Sequence, residues 1–117
     1  MSDTRKASAI QEYRVAKKLG GKISPNSGAG LWNKSDISIK VADLDIECKT
    51  CMKPKNSFSI KKEWIKKSKE AGFINRIHNH VIAFNFCYED DDDYYVIDDK
   101  LMKFLVEKLI EENSDGN

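Results

Sequence analysis

Four residues carry the pattern with the most chemical content: Asp36, and the run Glu47-Cys48-Lys49 further along the chain. In a strand, side chains at i and i+2 leave the same face, so Glu47 and Lys49 project together. Asp36 opens the preceding strand of the hairpin read here, and so can reach the same end of the sheet. Two carboxylates meeting beside an ammonium suit a divalent-metal phosphodiesterase. Carboxylates hold Mg²⁺ through hard oxygen ligands, and the backbone carbonyl of Cys48 can add one more. Mn²⁺, which takes the same ligands, is expected to substitute. A cation held there lowers the pKa of a bound water and stabilises charge on a phosphate. Lys49 can orient that water or neutralise the transition state. A cross-strand salt bridge in a half-exposed hairpin uses the same residue types, and the trio alone does not choose between the two.

Glu12 favours the site. It falls between Ala9, Ala16 and Leu19, inside the apolar stripe of the first predicted helix and off the basic flank of Arg14, Lys17 and Lys18. A carboxylate turned towards a core is costly unless it is paired or binds a metal. A salt bridge to a lysine at the core rim is the alternative. The loop Pro25–Ser35 runs directly into Asp36. Gly28 and Gly30 let the backbone approach a phosphate, and Ser27 supplies a hydroxyl. Trp32 can stack on a base or anchor the loop. Lys34, Lys53, Lys55 and the Lys62/Lys66/Lys69 face of a second helix would add phosphate contacts. A solvated helix surface carries such lysines as well.

The elements that position these residues follow from periodicity. Residues 5–20 read as a helix with Ala9, Tyr13, Ala16 and Leu19 on its apolar side, ended by Gly20-Gly21. Lys22–Ser24 is a short strand. Asp36–Val41 and Leu44–Thr50 alternate as a hairpin around Ala42-Asp43. Residues 58–72 form a helix with Ile60, Trp64 and Ala71 on one side. His80–Cys87 and Tyr94–Ile97 are strands around the charged turn Glu89–Asp93. Residues 99–112 form a helix that buries Leu101, Phe104, Leu105 and Leu109, followed by a frayed tail, 113–117. The order α-β-β-β-α-β-β-α predicts one α/β domain over residues 1–117, with a mixed central sheet of about five strands flanked by helices.

Composition sets the outer limits. At 117 residues, with 33% charged and 40% apolar side chains, the chain suits one globular domain and excludes a membrane protein. Its formal charge of +1 cancels two opposite fields. Residues 1–87 hold 17 Lys/Arg against 8 Asp/Glu, a balance of +9, and residues 88–117 hold 3 Lys against 11 Asp/Glu, a balance of −8. The basic body can attract a polyanion; a solvated surface with an acidic tail is the alternative reading. Three cysteines without a secretory signal predict reduced thiols in the cytoplasm. Cys48 and Cys51 make a lone C-x-x-C, for which Cys87, His78 and His80 are the available partners in a thiol–zinc reading.

Glu12, Ser27-Gly28, Asp36 and Glu47-Cys48-Lys49 together resemble the PD-(D/E)xK nuclease superfamily. The resemblance is closest to its small stand-alone Holliday junction resolvases of archaeal and bacteriophage type, and spans about residues 8–100. Those proteins place a Glu on the first helix, a Ser/Gly loop before the Asp, and an E-x-K strand ahead of a basic helix. Ser35 stands where the motif has its Pro, and the Asp90–Asp93 tract has no counterpart. The resemblance implies a restriction-endonuclease-like core, Mg²⁺ held by Asp36 and Glu47 with Glu12 as a further metal-site carboxylate, assistance by Lys49, and Ser27 near the scissile phosphate. It also implies a homodimer that cuts two strands of a four-way DNA junction. The same chemistry on linear duplex or single-stranded DNA, and a non-catalytic DNA-binding module of the same fold, are the competing expectations.

Overall fold

The structure is a computed structural model that describes residues 2–25 and 35–115. Ser2 starts the first helix: its Oγ accepts the Arg5 N–H at 3.2 Å, capping α1 (Asp3–Leu19). Gly20 ends it at φ 73°, in the left-handed region that lacks a Cβ penalty only for glycine. After β1 (Lys22–Ile23) and β2 (Ile37–Ile39), a 3₁₀ turn (Lys40–Ala42) reverses the chain through Asp43 at φ 53°. β3 (Leu44–Lys49), α2 (Lys62–Asn75) and β4 (Asn79–Phe84) form a parallel crossover unit. β5 (Tyr94–Val96) and α3 (Asp99–Asp115) complete the chain.

The fold is α/β; the described residues form three α-helices and one mixed sheet of five strands in the order β1-β2-β3-β4-β5. Among these strands only the β3–β4 pair is parallel. Its register sets Glu47 beside Ile82 and Lys49 beside Phe84. Side-chain alternation divides β3 between two faces. Leu44, Ile46 and Cys48 join Val15 and Ala16 of α1, with Ile37, Val81 and Ala83, in the main core. Asp45, Glu47 and Lys49 turn to the opposite face, towards α2. Burial of Ile37 and Ile46, each fully enclosed, contributes about 1.5–3 kcal/mol per side chain.

Several expectations are corrected. The buried face of α1 is Ala7, Gln11, Val15 and Ala16, while Tyr13 and Leu19 are exposed and Ala9 faces solvent. Gln11 is enclosed because its amide Nε2 donates to the Lys49 and Ala83 carbonyls at 3.0 and 3.2 Å, something hydropathy cannot register. α2 starts at Lys62, so Ile60 lies in the extended segment before it. β4 stops at Phe84, and Asn85 and Cys87 are buried in the connection that follows. α3 continues to Asp115 instead of fraying at 113. Phe104, Leu105 and Leu109 are exposed; Leu101, with Ile97, is what meets the core. Among the described residues no helix is long and apolar enough to cross a membrane.

The charged turn is also different in kind. Asp93 is not a solvated member of an acidic run: its side chain is 1% exposed and is gripped by Arg14, Nε to Oδ2 at 2.7 Å and Nη2 to Oδ1 at 2.9 Å. Asn85 Nδ2 donates to the same carboxylate at 3.0 Å, and Gln11 Nε2 at 3.4 Å. Arg14 therefore leaves the basic flank of α1 and fastens that helix to the segment preceding β5.

Candidate active site

The site forms at the end of β3 nearest α2. Asp36, immediately before β2, turns its carboxylate across the hairpin so that Oδ2 accepts the Cys48 N–H at 2.8 Å. That bond fixes Asp36 beside Glu47, close enough for each carboxyl to shift the pKa of the other. Lys49 Nζ stands 3.7 Å from Glu47 Oε1. The i, i+2 geometry of a strand thus brings Glu47 and Lys49 together as their spacing requires.

Burial and the nearby Asp36 charge push the Glu47 pKa up to about 7, against the opposing pull of Lys49. Burial also raises Asp36, countered by the Cys48 N–H and by Glu47. With its pKa near neutrality Glu47 is partly protonated there, which lessens the repulsion between the two carboxyl groups. The Cys48 thiol is pushed far up by burial, then by the charges of Asp36, Glu12 and Glu47, so it stays protonated and is a poor nucleophile.

Glu12 is half-buried on α1 and lines the same cleft as Asp36, Glu47 and Cys48, with Arg5 and Ser8 of the first helical turns on its rim. Three acids from a helix, a loop and a strand therefore converge on one opening of about 420 Å³. They are not collapsed onto a point: among the described residues, no three His, Cys, Asp or Glu side chains form a group able to hold an ion as they stand. The donor chemistry is nonetheless that of a hard divalent cation. The oxygens of Asp36 and Glu47 are pressed together at a raised pKa, the condition that a bound cation relieves.

On the α2 side, Glu47 and Lys49 also line a cleft of about 360 Å³ with Lys61, Trp64 and Lys67. Lys49 Nζ lies 4.5 Å from the Trp64 ring centroid and Lys61 Nζ 5.7 Å from it, both within cation–π range. Asp45 lies in this cleft too, buried and joined to His80 Nδ1 at 2.8 Å. Lys62, Lys66 and Lys69 are exposed on α2, but Lys61 and Lys67 are the lysines beside the acids. Lys67 is engaged by Glu63 at 2.9 Å. Lys53 and Lys55 are exposed in the connection after β3. Ser27, Gly28, Gly30, Trp32 and Lys34 lie outside the described residues. All three cysteines are free, and the described Cys and His residues form no zinc-holding group.

Two features escaped sequence reasoning. Trp64 holds Lys49 by its ring, and a tryptophan in a lysine-rich helix was the available signal. Gln11 ties the Lys49 carbonyl to α1, one residue before Glu12; nothing in composition or periodicity marks it. Thr50 Oγ1 adds a bond to Asn85 Oδ1 at 2.6 Å, so the chain is fastened on both sides of the Lys49 peptide. Comparison with family models, with curated proteins and with solved structures finds no match to this chain.

Proposed function

We propose that the protein is a Mg²⁺-dependent DNA endonuclease with a restriction-endonuclease-like core, acting on branched DNA as a Holliday junction resolvase. One observation carries the reading: Asp36 is held beside Glu47 by the Cys48 N–H at 2.8 Å, Lys49 stands 3.7 Å from Glu47, and Glu12 opens onto the same cleft from another element. A salt bridge alone needs one acid and one base. Here further carboxylates open onto the same cleft, and carboxylate oxygens are the donors that a hard divalent cation takes.

Asp36 and Glu47, with Glu12 and the Cys48 carbonyl as further donors, would hold the metal. When bound, Mg²⁺ supplies a water of lowered pKa and stabilises charge on the phosphate. Lys49, kept near Glu47 by Trp64, orients the attacking water or meets the charge that develops on the phosphoryl oxygens. Arg5 and the lysines around the two clefts offer contacts to flanking phosphates. The active unit is a homodimer, because a symmetric four-way junction needs two cuts by two equivalent sites. The free thiols suit the reducing cytoplasm.

Purified protein with Mg²⁺, or with Mn²⁺ in its place, is to be assayed on a four-way junction and on a linear duplex of matched sequence. The expected result is junction cleavage that Glu47→Ala and Lys49→Ala each reduce by at least about a hundredfold. Equal cleavage of both DNAs would keep the chemistry and remove the junction assignment. Cleavage undiminished in Glu47→Ala would remove the site.

A further inference from the structure

Beyond Trp64 a third depression, of about 640 Å³, opens along the connection that follows β3. Thr50, Met52, Lys53, Lys55, Phe58 and Trp64 line it. Its charge is one-sided, since Lys53 and Lys55 are exposed and no acid is among the residues lining it. One wall is aromatic and stiff. Phe58 lies 6.2 Å from Trp64 and stacks on Phe84 at 5.2 Å, and Phe84 is backed in turn by Phe86 and Tyr94. Trp64 belongs both to this depression and to the cleft on the α2 side, and its ring carries Lys49 of the carboxylate site at 4.5 Å.

Two lysines beside an aromatic wall ask for a ligand that presents both anions and flat apolar faces. Duplex DNA offers its phosphates but keeps its bases stacked inside; an unpaired strand offers both. We propose that this groove holds the unpaired DNA segment next to the scissile phosphate, with phosphates on Lys53 and Lys55 and a base against the Phe58–Trp64 wall. The position of the cut rests on the nuclease reading above, whereas the binding of an unpaired strand does not. A branch point whose central pairs are opened presents such a strand, so the groove supplies a physical reason for branched substrates to be preferred.

The test is a fluorescence-anisotropy titration in chelator, so that nothing is cut. A labelled short oligo-dT and a duplex of equal length are titrated with the full chain over a range of salt. The single strand is expected to bind more tightly. Phe58→Ala should weaken it by about tenfold with the salt slope unchanged. The double variant Lys53→Ala/Lys55→Ala should flatten the slope of log K against log[salt] by about 1.4, or 0.7 per contact. Phe58→Leu, which keeps apolar bulk behind the groove, gives the same reading should Phe58→Ala fail to fold. Tighter binding of the duplex, or variants that bind like the parent with unchanged slopes, overturns the proposal. A parent chain that cuts DNA while its groove variants bind oligo-dT normally defeats the groove and leaves the nuclease standing. Groove variants that lose oligo-dT binding in a chain that cuts no DNA support the groove alone.

Discussion

Glu47 is the residue at which the electrostatics of the site are concentrated. Its pKa of about 7, against an ordinary 4.5, reflects burial first and the adjacent Asp36 charge second. A carboxyl whose pKa is raised on folding stabilises fully below its unfolded value, and that contribution disappears as pH rises through the folded one. The metal-free protein should therefore lose stability between about pH 4.5 and 7 on account of this group. On the proposed reading a divalent cation would bind the ionised pair and reverse the loss. Mg²⁺ at a hundredfold excess over its Kd should add about 2.7 kcal/mol at pH 8, a rise in Tm of roughly 10 °C or more, and much less at pH 5. Thermal melts with and without Mg²⁺ at the two pH values measure this. An equal effect at both pH values, or none at pH 8, would show that the pair does not bind the ion. Glu47→Gln should abolish the pH dependence of the metal effect.

The network that anchors α1 to the sheet decides where Glu12 points. Arg14, Gln11, Asn85 and Asp93 cross-link the helix, the chain after β4 and the segment preceding β5. Burial alone would raise Asp93, but the hydrogen bonds from Arg14 and Asn85 outweigh it and hold the carboxyl below its ordinary 3.8. Its contribution is thus present above that pH and lost as pH falls through the lower folded value. Asp93→Asn should cost about 3 kcal/mol at pH 7 by urea denaturation, since it leaves Arg14 without its buried counter-charge. The difference from the parent should shrink as the pH is taken from 5 to 2. A constant difference would mean that Asp93 acts by shape and not by charge. Elements and their order were legible in the sequence because strands β2 and β3 alternate and because Gly20 punctuates the first helix. The pairing of Glu47 with Lys49 was legible for the same reason: strand period places them together whatever the rest does. The rotation of α1 was not. Gln11 counts as polar in any hydropathy pattern, and only its distant partners, the Lys49 and Ala83 carbonyls, make it a core residue. Asp93 was hidden in a run of four aspartates that differ only in what surrounds them.

At the scale of the whole molecule, α3 has the least support from the rest of the chain. Asp98 Oδ1 caps it by accepting the Leu101 N–H at 2.9 Å, and Leu101 reaches the core. Beyond that point Met102, Phe104, Leu105, Val106, Leu109 and Ile110 are all exposed, Phe104 at 55% and Leu109 at 52%. A contiguous apolar face of this kind marks an interaction surface in a protein of this size. The proposed reaction supplies the occupant: two strands cut at symmetric positions need two sites related by a two-fold axis, and an isologous contact uses one patch on both copies. Each substitution on the helix is then felt twice. Burying one leucine is worth about 1.5–3 kcal/mol, so Leu105→Lys/Leu109→Lys removes four such contributions from the pair and should convert a dimer into a monomer. Light scattering after gel filtration measures the mass. Circular dichroism should be nearly unchanged, because both side chains are exposed in the single chain. The monomeric variant should keep the carboxylate site and nick one strand of a junction, releasing the nicked species where the parent delivers both cuts. A parent chain that stays monomeric at high concentration, or a dimer indifferent to both lysines, would place the symmetry axis elsewhere or remove it, and the junction assignment would then have to rest on the groove beside Trp64 alone.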